Sequence, residues 1–99
     1  MFFIYILQSE PTGKFYVGYS KDPQRRFVQH NETSFDSYTS KFRPWSIKAI
    51  LPIGTEEADA VQVERYIKKQ KQRRFIKLVI EKASDENFIS WLKKESSAG

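Results

Sequence analysis

Ninety-nine residues are enough for one hydrophobic core and too few for two, since single domains run to roughly 100 to 200 residues. The chain has no cysteine, which excludes disulfides, thiolate metal sites and thiol nucleophiles, while an aromatic content of 15% lets a few large rings fill the core. No apolar run approaches the roughly 20 residues of a bilayer span, and the start lacks the basic region of a secretory signal; a cytoplasmic protein without membrane association is expected, and a net charge of +5 suits an anionic partner.

Phe2 to Gln8 and Phe15 to Tyr19 are dense in aromatic and β-branched residues, with Ser9-Glu10-Pro11-Thr12-Gly13-Lys14 between them. Pro and Gly in so short a polar stretch predict an antiparallel hairpin. Asp22-Pro23 gives an N-cap residue followed by an N1 proline, so a helix should start there and run to about His30 or Asn31. Asn31 to Arg43 is polar and aperiodic, a loop pinned by Phe35, Tyr38 and Phe42. Trp45 to Ile50 alternates as a third strand, and Ile53-Gly54-Thr55 reads as a break. Thr55 can cap a longer helix whose first turn, Glu56, Glu57 and Asp59, complements the macrodipole and whose Ala60, Val63 and Ile67 fall at helical spacing. A further helix covers Arg73 to Ala83, and Ser84-Asp85 caps a last one carrying Phe88, Trp91 and Leu92. The order is ββαβααα, an α/β or α+β fold with a small three-stranded antiparallel sheet flanked by helices. Residues 1–95 are expected to form the single domain and residues 96–99 a disordered tail.

Charge is unevenly spread. Between Arg65 and Lys82 there are eight basic residues against Glu81 alone, which leaves the remainder of the chain net acidic. A local basic run is what a nucleic-acid footprint looks like, although a solvated helix face has the same composition. Other residues are poorly explained by packing. Gly18 interrupts the second strand, as glycine does where a backbone or ligand comes close. Arg26 and His30 lie four apart on one helix face. Glu64 has Ala60, Val61 and Ile67 among its helical neighbours, and a carboxylate near a buried side needs a partner such as a cation.

Phe3-Ile4-Tyr5, a ten-residue interval to Tyr16-Val17-Gly18, then Ser20-Lys21-Asp22, Arg26, and Glu64 in a later helix together resemble the GIY-YIG nuclease superfamily, the catalytic domain of excision-repair and homing endonucleases. The similarity extends from about Phe2 to Ile80. It looks nearest to short stand-alone bacterial members, with counterparts for Arg26-Phe27-Val28-Gln29-His30-Asn31, Tyr38-Thr39-Ser40-Lys41, Arg43-Pro44 and Glu64-Arg65-Tyr66-Ile67-Lys68-Lys69. One departure is that the first glycine of the family name is Phe3 here.

The resemblance implies a metal-dependent endonuclease that hydrolyses phosphodiester bonds, with nucleic acid as partner and DNA ahead of RNA. Glu64 would hold one divalent ion, Mg²⁺ or Mn²⁺, and Arg26 would bind a non-bridging phosphate oxygen. Tyr5 or Tyr16 would be the base, in a field supplied by the metal, Arg26 and Lys21, because a phenol titrating near ~10 needs cationic neighbours. His30 would relay a proton or bind phosphate. Phe35, Tyr38, Phe42 and Trp45, interleaved with Lys41 and Arg43, would be either a base-stacking platform or loop packing. Lys68, Lys69, Lys71, Arg73 and Arg74 would hold flanking phosphates. The five residues Tyr5, Tyr16, Arg26, His30 and Glu64 should line one concave surface over the sheet. A domain this small suggests structure-directed or nonspecific cutting, or a protein partner that supplies targeting. The competing readings are a binding module that kept this fold and lost turnover, and a module whose basic segment meets an acidic protein.

Overall fold

The computed structural model describes residues 1–32 and 37–98, without the side chains of residues 37 and 38. Phe35 and the Tyr38 side chain, both expected in a stacking platform, fall outside the described residues. The elements are β1 (Phe2–Ser9), β2 (Phe15–Ser20), α1 (Pro23–Glu32), α2 (Ser37–Ser40), β3 (Trp45–Gly54), α3 (Glu57–Gln70), α4 (Arg73–Glu81) and α5 (Glu86–Ala98). Apart from the single-turn α2, set in the segment expected to be a loop, this is the ββαβααα order.

The sheet is antiparallel with strand order β2-β1-β3, so β1 is central and the other two strands are edges. Side chains alternate across a strand, and here both faces are covered. Ile4 and Ile6 point into a core with Leu51, Ile53, Ala60, Val63, Ile67, Val79 and Leu92, drawn from β3, α3, α4 and α5. Tyr5 and Leu7 point into a second cluster with Trp45, joined by Phe27 of α1 and by Tyr16, Phe42 and Ile47. Burial on both faces is why Ile4, Tyr5, Ile6 and Leu7 form an unbroken run at 1% exposure or less. Layers therefore lie on each side of the sheet, α1 on one and α3 on the other.

Capping fixes where the helices begin. Asp22 Oδ1 accepts from the Arg25 amide at 3.1 Å and starts α1, and Asp85 Oδ1 accepts from the amides of Asn87 and Phe88 at 2.9 and 3.1 Å and starts α5. Thr55 does not cap α3; Glu56 holds that position without a side-chain cap bond, and the acidic first turn of Glu57 and Asp59 carries the electrostatics instead. At the other end of α3, Lys71 adopts the left-handed conformation (φ 54°, ψ 24°) in which glycine is the usual residue.

Two expectations about extent are corrected. The third strand does not stop at Ile50 but continues to Gly54, pairing Phe3 with Pro52 and Phe2 with Gly54 across register shifts. Pro52, which breaks the sequence pattern, is tolerated because β3 is an edge strand and needs no donor on its open side. The tail expected to be disordered from Ser96 onward is helical to Ala98, with Ser96 Oγ donating to the Leu92 carbonyl at 2.6 Å and Ser97 Oγ to that of Lys94 at 3.0 Å. Among the described residues no helix is long and apolar enough to cross a membrane.

Candidate active site

Antiparallel pairing sets Tyr5 opposite Gly18 and Leu7 opposite Tyr16, and residues directly opposite share a face. The Tyr5 ring consequently lies across Gly18. A Cβ at Gly18 would sit 2.5 Å from Tyr5 Cζ and Oη, so the glycine is required by the ring of its cross-strand partner. Around that contact is a cleft of about 280 Å³ lined by Tyr5, Tyr16, Gly18, Tyr19, Ser20, Arg26, Glu64 and Lys68.

The cleft is at the β2 edge of the sheet, not over its face. Arg26 arrives from α1 on one side, and Glu64 comes from α3, whose Ala60, Val63 and Ile67 are buried against the opposite side. Only at an edge strand can helices from opposite layers bring side chains to one point. Four of the five residues expected to line a single surface therefore do so, by a different geometry from the one expected.

His30 is the exception. It is fully buried, does not line the cleft, and stands behind the tyrosines: its Nε2 is 3.0 Å from the Tyr5 hydroxyl, and its ring centroid is 4.6 Å from that of Tyr16. Helical spacing placed it on the same face as Arg26, but one turn further along, that face points into the interior. Direct phosphate binding by His30 is excluded by this burial. It meets the cleft through Tyr5 and Tyr16.

The electrostatics separate the two tyrosines. Burial pushes the Tyr5 hydroxyl above its ordinary value and outweighs the nearby Arg26 guanidinium, which acts in the other direction; the Glu64 carboxylate adds to the rise. Tyr5 thus remains a neutral phenol. Tyr16 is only half-buried, with the Lys68 ammonium 5.7 Å from its ring centre. Glu64 is 22% exposed and its Oε1 accepts from Lys68 Nζ at 3.0 Å, one helical turn away. Tyr19 donates to Glu57 Oε2 at 3.0 Å, which raises the Tyr19 hydroxyl in turn.

Among the described residues Glu64 is the one carboxylate on the cleft, and no three His, Asp or Glu side chains gather into a closed metal cage. A single carboxylate beside phenol and hydroxyl oxygens is nevertheless a hard donor set. It fits a hydrated Mg²⁺ or Mn²⁺, which binds through one or two carboxylates plus substrate phosphate and keeps several waters. Glu64 is the residue that would hold it.

The basic residues divide more than their closeness in sequence suggested. Lys68 lines the cleft and Lys71 an adjoining hollow. Lys69 turns to a separate hollow with Arg65 and Glu95, because successive helical residues point about 100° apart. Arg73 is engaged with the hairpin, donating to the Gly13 carbonyl at 2.9 Å and covering the Phe15 ring at 4.8 Å. Arg74 is exposed on α4. Lys21 lies over Phe2 at 5.2 Å, outside the cleft lining. Arg43 Nε donates to the His30 carbonyl at 2.6 Å, near the end of α1, a brace for the helix terminus, and Lys41 is exposed outside the cleft.

Trp45 is 2% exposed and donates its indole N–H to the Thr39 carbonyl at 2.8 Å. Phe42 packs against it. For these two residues loop packing prevails over base stacking. Sequence reasoning gave no role to three useful residues, two of which, Ser20 and Asn31, it had named only as parts of motifs. Tyr19 and Ser20 line the cleft, a consequence of β2 being an edge that strand alternation alone cannot signal. Asn31 accepts from the Trp45 amide at 2.7 Å and donates to its carbonyl at 3.0 Å, tying the end of α1 to the start of β3.

A small antiparallel sheet whose edge gathers two tyrosines, an arginine and a helical glutamate carries the ordered motif set read from the sequence. The GIY-YIG catalytic domain matches residues 1–77, and the chain belongs to that family. It is 37% identical over 76 residues to the structure-specific endonuclease subunit SLX1 of Meyerozyma guilliermondii, which covers 72% of this chain and 26% of the relative. Against the protein of the same name from Scheffersomyces stipitis it is 35% identical over 80 residues, covering 75% of this chain and 24% of the relative. The chain thus spans about a quarter of the length of these curated relatives. They are yeast proteins, so they give no support to the bacterial grouping expected from the motifs.

Proposed function

We propose that the chain is a metal-dependent endonuclease that hydrolyses phosphodiester bonds of DNA, selecting its substrate by structure and working with a protein partner that targets it. The observation carrying this reading is the edge cleft, where Tyr16, Arg26 and Glu64 converge within about 280 Å³. The relatives are structure-specific endonuclease subunits, which supports selection by structure and a partner protein.

Each residue has a task that its surroundings suit. Arg26 presents a planar fork to a non-bridging phosphate oxygen and offsets the charge that grows there. Tyr16, the more accessible tyrosine, acts as base in its phenolate form, whose charge the nearby Lys68 ammonium offsets; it returns to the neutral phenol on taking the proton of the attacking water, whose oxygen carries the negative charge to phosphorus. Tyr5, kept neutral by burial, orients that water and is held by His30 from behind. Glu64 would hold a divalent ion, which when bound would supply Lewis-acid polarisation of the phosphate and positive charge for the leaving oxygen. The Glu64–Lys68 ion pair favours a second reading, a nucleic-acid-binding module in which the carboxylate is satisfied by lysine alone.

A panel of single-stranded, flapped, branched and duplex DNA and RNA, incubated with Mg²⁺, Mn²⁺ or EDTA, tests both. Metal-dependent cutting of branched DNA is expected. Glu64→Gln should fold, bind nucleic acid and cut nothing, because the amide keeps the size of the side chain and removes the ligand charge. Cutting in EDTA, or full activity of Glu64→Gln in Mg²⁺, overturns the one-metal mechanism. Tight binding with no cutting under any condition leaves the binding module.

A further inference from the structure

A second hollow of about 320 Å³ adjoins the cleft and shares Tyr16 and Lys68 with it. Its other walls are Phe15, Val17, Ile67 and Ile76, with Lys71 beside them. Among the described residues no carboxylate lines it, so it has no part in the metal binding assigned to Glu64, and its volume is near the lower end of small-ligand pockets. The lining is aromatic and aliphatic except for two ammonium groups. The Phe15 wall is held in place by Arg73, which covers the ring and bonds to the Gly13 carbonyl. Lys71 occupies a left-handed position where glycine is the usual residue, and a side chain kept in such a conformation points to a use for it.

An apolar slot bordered by the cations Lys68 and Lys71, opening beside the cleft, suits a flat uncharged ring joined to anionic groups. We propose that this slot receives the base of an unpaired nucleotide next to the phosphate in the cleft, with Lys68 and Lys71 on the adjoining phosphates. The inference rests on nucleic acid occupying the cleft, as proposed above. A base inside a duplex is stacked and paired and cannot enter without first being extruded, whereas a base at a flap or junction is already free to do so. The slot would therefore be the element that selects substrates with unpaired nucleotides at the cut.

The full chain is titrated, in EDTA so that nothing is cut, with flapped DNA carrying 2-aminopurine or an abasic site at successive positions about the branch. One position is expected to change its 2-aminopurine fluorescence on binding, and an abasic site there should weaken binding roughly tenfold, the order of one lost stacking contact. Lys71→Gly should weaken binding of flapped DNA while its unfolding midpoint stays level or rises, which separates loss of the ammonium from loss of the fold. Ile76→Phe, filling the slot, should abolish the fluorescence response and leave binding of fully paired DNA unchanged. A flat abasic scan with binding intact overturns the slot, as does a Lys71→Gly protein that binds like the parent. Because these readouts need no catalysis, failure of cutting in the panel above and failure of the slot are distinguishable.

Discussion

Tyr5 joins stability to the site through one hydroxyl. Its ring is 1% exposed and its Oη is 3.0 Å from His30 Nε2, so Tyr5→Phe strips a buried polar partner and should cost about 1–3 kcal/mol in denaturant unfolding. Burial also raises its titration above the ordinary value of 10.0. As pH climbs through that value the unfolded chain releases this proton first, the folded state binds more protons, and stability falls. The contribution is fully present below pH 10.0 and is lost above it. Unfolding curves across the alkaline range should show a shallower loss for Tyr5→Phe than for the parent; parallel loss in the two proteins would contradict the assignment. Gly18→Ala places a methyl 2.5 Å from the same ring. Overpacking of this kind typically costs about 1–3 kcal/mol, and displacement of Tyr5 should lower cleavage beyond what the lost stability explains, as measured at a temperature where both proteins are folded.

At the scale of elements, α1 is held at both ends by side chains that do no chemistry. Asp22 caps its start, and Asn31 and Arg43 tie its end to β3 and to the segment before it. Arg26 projects from the second turn, so its position depends on these ties. Asp22→Ala should cost about 1 kcal/mol of stability and reduce kcat several-fold with little change in KM, because the lost cap shifts a transition-state contact more than the binding of DNA. Equal loss in kcat and KM would mean that α1 serves binding instead. Helix α3 shows the same division of labour: Ala60, Val63 and Ile67 fasten it to the core, and Glu64 and Lys68 on its flank reach the edge cleft.

For the whole molecule, the relevant property is how the net +5 is distributed. If DNA lies along the cleft and its adjoining hollow, Lys68 and Lys71 contact phosphate, whereas Lys69 and Arg65, around the helix, do not. Lys68→Ala with Lys71→Ala should reduce the slope of log K against log salt by about 1.8 on duplex DNA, roughly 0.9 for each contact removed. Lys69→Ala with Arg65→Ala should leave the slope nearly unchanged. Binding isotherms at several salt concentrations give both values, and equal effects of the two pairs would indicate a diffuse basic surface.

Much of this was readable without coordinates. The aromatic and β-branched density of β1 and β2, the Asp22-Pro23 start, and Ala60, Val63 and Ile67 at helical spacing are local patterns, and local patterns state which elements form and which helical residues share a face. The order and spacing of Tyr5, Tyr16, Gly18, Arg26 and Glu64 carried the family, because a chemical site constrains residue type and separation more strictly than packing does. What periodicity cannot state is what a face meets. His30 shares a helical face with Arg26, yet one is buried and the other lines the cleft, since depth depends on where α1 crosses the sheet. The third strand was expected to stop at Ile50, and its extension through Pro52 to Gly54 depends on β1, which supplies the pairing partner for an edge. The basic run read as one footprint because charge adds along the chain, while helix geometry turns neighbouring lysines to different hollows. The sequence by itself determined the elements and the chemical inventory. Only the packing of α1 and α3 on opposite faces of a three-stranded sheet decided that the inventory would assemble at its edge, because a convergence between layers is a property of no single segment.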